Sequence, residues 1–158
     1  MVRKTETVLC YDDLGGTTAV PYQTLRFQPV VYGLLLERGE LLLMAHAARE
    51  GWQLPGGLMQ PAETPEEALQ ARFRELTGIT PSVDRLLLVD ERFYLAADGQ
   101  GWRLVDLFFA VQRPLARLDR MLATQHESRP EWVELAGLQR SQLELGYAAV
   151  NLLKQDVK

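Results

Sequence analysis

Residues 56–79 read GGLMQPAETPEEALQARFRELTGI, and they gather most of the side chains that could do chemistry. Glu63, Glu66, Glu67 and Glu75 offer carboxylates, and Arg72 sits among them. Arg72, Glu75 and Leu76 lie three and four residues apart, so a helix would put them on one face. Two readings of Arg72 follow. It pairs with Glu75 on a solvated surface, which contributes under about 1 kcal/mol. Alternatively it presents a fixed guanidinium to a phosphate, a match of planar fork to oxyanion. Glu63 precedes the helical segment and reads as a cap for backbone amides of the loop. Glu66 and Glu67 suit a helix start through its dipole.

The elements that must position these groups are marked locally. Thr64 is a helix N-cap, Pro65 the first helical residue and Glu67 the partner in a capping box. Leu69, Phe73 and Leu76 form one apolar stripe, Gly78 a left-handed stop, and Thr80-Pro81 prevents resumption. Upstream, the spacing predicts a strand over 5–11, a turn over 12–16 and a short strand over 24–27. It then predicts a hairpin of 30–37 and 40–46 around Arg38-Gly39, buried on much of both faces. A loop over 47–53 ends in the break Leu54-Pro55-Gly56-Gly57. Downstream, 85–95 and 102–112 read as strands joined by Asp98-Gly99-Gln100-Gly101. Residues 118–130 read as a loop, 131–135 as a short strand and 143–154 as a closing helix. Strands, helix, strands, helix predicts a mixed sheet between helices.

A chain of 158 residues suits one domain with one core, and 47% apolar with 24% charged residues is ordinary for a globular protein. The net charge of −4 argues against a sequence-independent grip on nucleic acid. The longest apolar run, over 30–36, is too short to cross a bilayer. Residues 1–10 contain no apolar signal segment, and Cys10, the one cysteine, has no internal disulfide partner. A reducing cytoplasm is the expected location. Cys10 alternates with apolar neighbours and reads as buried filler.

The segment resembles the Nudix box, the signature of hydrolases that cleave a diphosphate linked to another moiety. That box runs Gly, five residues, Glu, seven residues, then Arg-Glu-apolar-any-Glu-Glu-any-Gly-apolar; here Gly57, Glu63, Phe73, Glu75, Gly78 and Ile79 match it without a gap. Trp52-Gln53-Leu54-Pro55-Gly56-Gly57 resembles the usual lead-in, and Pro130-Glu131-Trp132-Val133-Glu134-Leu135 the final strand. The resemblance therefore extends from about residue 27 to the C-terminus. It implies an α+β fold, a Nudix-like α/β/α sandwich with a mixed β-sheet between helices. One domain is expected over 1–158, with N-terminal strands in 1–27 and the core in 28–158. The resemblance also implies catalytic Mg²⁺ or Mn²⁺ held by glutamates at positions 72, 75 and 76, with help from the Gly57 carbonyl. Arg72 and Leu76 replace two of the three. At about 4 Å and an effective dielectric near ~20, each unit-charge pair is worth about 4 kcal/mol, so Arg72 opposes a divalent ion strongly. Metal binding is expected to be weak or absent. If a metal does bind, its ligands are Glu75, Gly57 and Glu63. Glu75 is the surviving catalytic candidate, and Glu127 lies where some family members keep a metal ligand or base.

Further candidates each carry a bland alternative. Arg49 could reach a phosphate from the loop before the box, or be a solvated arginine. Trp52 packs beneath that loop or stacks on a base. Phe93, Tyr94 and Trp102 line a base pocket or pack in a core or dimer. His46 and His126 lack ligand spacing. Three functions are in view. The first is a binding module that uses Arg72, Arg49, Trp52 and Gly57 to hold a nucleoside-diphosphate-type or other phosphorylated small molecule with little or no hydrolysis. The second is an active hydrolase with an altered metal site. The third is an interaction protein that forms a homodimer through residues 1–26. Neither a membrane nor nucleic acid is an expected partner, since no basic recognition helix is present.

Overall fold

The computed structural model describes residues 6–48, 50–114 and 128–156. Strands β1 (Thr7–Tyr11) and β2 (Thr17–Pro21) form an antiparallel hairpin. Strand β3 (Arg26–Glu37) turns through Arg38 and Gly39, both at positive φ, into β4 (Glu40–His46). Two short strands, β5 (Trp52–Gln53) and β6 (Gly56–Leu58), lead to helix α1 (Pro65–Thr77). The long strands β7 (Ser82–Leu95) and β8 (Gly101–Gln112) follow, then β9 (Ser128–Glu134) and helix α2 (Tyr147–Asp156).

Among the described residues the strands run in the order β2-β1-β7-β8-β3-β4-β5, with β6 on β3 and β9 on β4. The β3–β8 pairing is parallel and the β7–β8 pairing antiparallel, so the sheet is mixed. Its two faces divide the core. Val31 and Leu35 of β3, Leu42 of β4 and Val111 of β8 pack with Ala68, Leu69 and Phe73 of α1. The alternating residues Leu34, Leu41, Leu43, Phe108 and Ala110 pack with Ala149, Val150 and Leu153 of α2. This is why 30–37 and 40–46 read as continuous apolar runs: both faces of each strand are covered. The helices therefore flank the sheet, as expected for the sandwich.

The cap, the first-position proline and the glycine stop read around α1 hold, while of the expected capping box only the Thr64 half is seen. Thr64 Oγ1 accepts from the Glu67 amide at 3.2 Å, and Gly78 closes the helix at φ 81° with its amide on the Arg74 carbonyl. The structure corrects other boundaries. Residues 24–27 do not form a separate short strand. A 3₁₀ turn occupies Tyr22–Thr24, closed by Thr24 Oγ1 on the Pro21 carbonyl, and β3 begins at Arg26 in register with Trp102 of β8. The closing helix begins at Tyr147, not 143. Gly146 lies at φ 89°, outside helical space, and Leu143 bridges in parallel to Trp52. The last strand starts three residues early, at Ser128, because its antiparallel pairing with β4 continues to His46. The rest of the expected loop over 118–130 lies outside the described residues.

Cys10 is fully buried beside Val20 and Leu25, as the filler reading requires, and burial pushes its thiol pKa up. No helix among the described residues is long and apolar enough to cross a membrane.

Candidate functional site

The loop before α1 is held to β3 from both ends. The Gly33 amide donates to the Pro55 carbonyl at 2.9 Å, and the Met59 amide to the Pro29 carbonyl at 3.1 Å. Between them, β6 pairs Gly57 with Val31. At the loop's far end, Glu63 Oε1 accepts from the Gln60 amide at 2.7 Å, the loop-capping role read from the sequence. The same carboxylate also faces α1.

Arg72 lies across this junction. Its Nη1 donates to Glu75 Oε1 at 2.8 Å, its Nη2 to Glu63 Oε1 at 3.2 Å, and its Nε to the Leu58 carbonyl at 3.3 Å. One guanidinium thus ties helix, loop and strand. Partial burial lowers its pKa, but the Glu63 hydrogen bond and the Glu75 charge outweigh that and raise it above the ordinary value. A Cβ on Gly57 would come within 3.2 Å of Arg72 Cγ and Cδ, so the glycine makes room for the arginine stem. Glu75 is 64% exposed against 20% for Arg72 and 21% for Glu63. Glu75 is therefore the partner most readily exchanged for a solvent-borne anion.

Beside this junction opens a cavity of about 620 Å³. Val30, Leu54, Leu58, Leu76 and Leu104 supply apolar walls, and Gly57, Arg92 and Glu144 also border it. Tyr32 lines it too and stacks on Phe108, centroids 5.0 Å apart at 14°. Arg92 of β7 donates through Nε and Nη2 to the two carboxylate oxygens of Asp106 of β8, at 2.5 and 2.9 Å. Asp106 has no solvent exposure, so this fork is its compensation for burial. Gln53 Nε2 donates to Glu144 Oε2.

The family model for the NUDIX domain matches residues 26–152. The chain belongs to the Nudix family. Among curated Nudix relatives, the human 8-oxo-dGDP phosphatase NUDT18 is 34% identical over 122 residues, 75% of this chain and 34% of that protein. The RNA pyrophosphohydrolase of Xanthomonas campestris is 41% identical over 54 residues, 34% of this chain and 26% of that protein. The chain thus spans only about a third or less of these relatives' length. Solved structures share the fold. The MutT protein of Bacillus halodurans superposes with a TM-score of 0.62 at 21% identity, over 80% of each chain. The E. coli ORF135 protein gives 0.59 at 23% identity, over 87% of this chain and 94% of that one.

Within this Nudix chain the helix brings Arg72 and Glu75 together as their spacing predicts, and the docked loop adds Glu63. Gly57, Glu63, Arg72 and Glu75 form one cluster, and Leu76 turns to the cavity wall. The donor set does not fit a divalent ion held by protein carboxylates. Glu63 and Glu75 are already bridged by a cation of the chain itself, and among the described residues no group of three acidic, His or Cys side chains is placed to hold a metal. Trp52 stands apart from the cavity, packed against the α2-side core with its indole N–H on Glu131 at 3.0 Å. His46 Nδ1 accepts from the Ala48 amide. Tyr94 donates to Asp13, and Trp102 carries Arg26 over its ring at 5.9 Å. Arg49, His126 and Glu127 lie outside the described residues. The sequence reading did not single out Tyr32, Arg92, Asp106 or Glu144. A signal was available: Asp106 is the one charge within the apolar run over 104–111.

Proposed function

We propose that this chain binds a nucleoside-diphosphate-type or other phosphorylated small molecule and turns it over weakly or not at all. The observation that carries the reading is Arg72 bridging Glu63 and Glu75. In this reading the guanidinium stands in for the divalent ion of an active box. A guanidinium has five N–H donors, and four bonds, one to Glu75, two to Glu63 and one to Leu58, leave one N–H on Nη1 for a phosphate. It cannot polarise a water as a metal ion does. Binding without efficient hydrolysis follows. Mg²⁺ or Mn²⁺ would then arrive, if at all, on the substrate's own phosphates. Gly57 shapes the phosphate end by admitting the Arg72 stem. Arg49 is proposed as a second phosphate contact from the preceding loop.

The test is calorimetric titration with nucleoside diphosphates in chelator, alongside phosphate-release assays in Mg²⁺ and Mn²⁺. Binding that Arg72→Ala removes, with no release, supports the reading. Arg72→Glu with Leu76→Glu should then gain metal-dependent hydrolysis over a silent parent. A second reading is favoured by the relatives, which are named a phosphatase and a pyrophosphohydrolase. In it the parent is a working hydrolase, with Glu75, Gly57 and Glu63 on the metal and Glu67 or Glu127 assisting. Robust turnover by the parent, abolished by Glu75→Gln, would establish this second reading and overturn the first.

A further inference from the structure

The walls of the cavity beside Arg72 are rich in leucine. Leu54, Leu58, Leu76, Leu104 and Leu145 converge on it from separate stretches of the chain, together with Val30 of β3. In register, Leu58 of β6 stands opposite Val30, and Val30 opposite Asp106 of β8. Two of the leucines reach the Arg72 end. Leu76 follows Arg72 by one helical turn, on the same face of α1. Leu58 lends its carbonyl to Arg72 Nε, yet the residue stays 51% exposed. It keeps apolar surface in water that a ligand seated in the cavity would cover.

These walls decide what can follow a phosphate held by Arg72. In a nucleotide the next group is a ribose. Its hydroxyls would lie against Leu58, Leu76 and Val30 and lose their water without gaining partners. A methylene chain has no polar group to leave unsatisfied, and each CH₂ that enters the cavity is removed from water. The charged groups on the border are already engaged. Arg92 donates to both carboxylate oxygens of Asp106, so that pair adds no net charge, and Glu144 accepts from Gln53. At about 620 Å³ the cavity is of a size that encloses a small molecule.

We propose that this cavity takes the aliphatic chain of an alkyl- or prenyl-type phosphate, with the phosphate on Arg72 and the chain running in between Leu58 and Leu76. This rests on the phosphate-binding reading above and selects, among phosphorylated small molecules, those whose carbon moiety is apolar. Leu76 then has a use of its own. Where the box resemblance implies a carboxylate for a metal, the leucine supplies the first stretch of wall for the chain.

The test is calorimetric titration of the intact protein, in chelator, with ethyl, butyl, hexyl and octyl phosphate, AMP and inorganic pyrophosphate. Affinity should climb roughly two- to fourfold for each CH₂ that enters the cavity, and AMP should bind no tighter than ethyl phosphate. Leu58→Gln with Leu76→Gln changes two side chains that are not fully buried and keeps the Leu58 carbonyl on Arg72. It should flatten the climb and leave pyrophosphate binding unchanged, which also shows that the variant is folded. Arg72→Ala should weaken every ester by a similar factor and preserve the climb. Pyrophosphate binding with no dependence of the esters on chain length, AMP binding above octyl phosphate, or a climb that survives the double substitution overturns the proposal and leaves the phosphate reading standing. If neither pyrophosphate nor any ester binds, the phosphate reading falls with it.

Discussion

Tyr32 sits partly buried against Phe108, and its pKa is pushed up to about 12, first by burial and then by the Asp106 charge. An unfolded chain ionises its tyrosine near 10.0. Below that pH both states keep the proton, and Tyr32 contributes no pH dependence. Between about 10 and 12 the unfolded state releases the proton and the folded state holds it, so stability falls as pH rises. Urea unfolding across this window should show a shallower decline for Tyr32→Phe than for the parent. Equal slopes would mean that Tyr32 titrates normally. Gly33 gives a second expectation. A Cβ there would meet two Phe73 ring carbons at 2.9 Å, so Gly33→Ala should cost about 1–3 kcal/mol in denaturant unfolding. At this scale the sequence was partly legible. The Arg72–Glu75 pair follows from helical spacing. The Arg72–Glu63 pair does not, because the loop fold that brings Glu63 back depends on its docking to β3.

Helix α1 was legible almost to the residue because its signals are local: a threonine cap, a proline at the first position and a glycine stop. Thr64→Ala should therefore cost about 1 kcal/mol of stability. Gly78→Ala should cost about 1–2 kcal/mol, since the residue occupies left-handed space. Both are measurable by chemical unfolding, and a neutral Thr64→Ala would mean that packing of Leu69 and Phe73 alone sets the helix. Helix α2 was misplaced for the opposite reason. The apolar spacing of Leu143 and Tyr147 looks helical, but Leu143 is captured by Trp52, about ninety residues earlier in the chain. A Cβ on Gly146 would also strike Phe108 and Leu54, so the chain turns there before the helix begins.

For the whole molecule, composition and element order led to a mixed sheet between two helices, while the strand order was not legible. The parallel pairing of β3 with β8 joins segments separated by α1 and β7, and no local pattern encodes that register. Hydrogen exchange should reflect the result. Amides of β3 and β8, paired on both sides, should exchange most slowly, and those of the end strands β2 and β5 fastest. Uniform protection would contradict that order. The end position of β2 also suits the expected homodimer contact; light scattering at the mass of one chain, at every concentration, would exclude it. The bridge made by Arg72 reaches this scale too. A charge tethered by its own backbone is a counterion that dilution and chelators cannot remove, so the helix–loop junction needs no ion recruited from solution. Arg72→Glu would place a third carboxylate against Glu63 and Glu75 and leave that charge to be recruited from solution. The melting temperature of that variant should then climb with added Mg²⁺ by mass action, whereas the parent's should stay level. One side chain would decide whether the fold is self-sufficient or dependent on its medium.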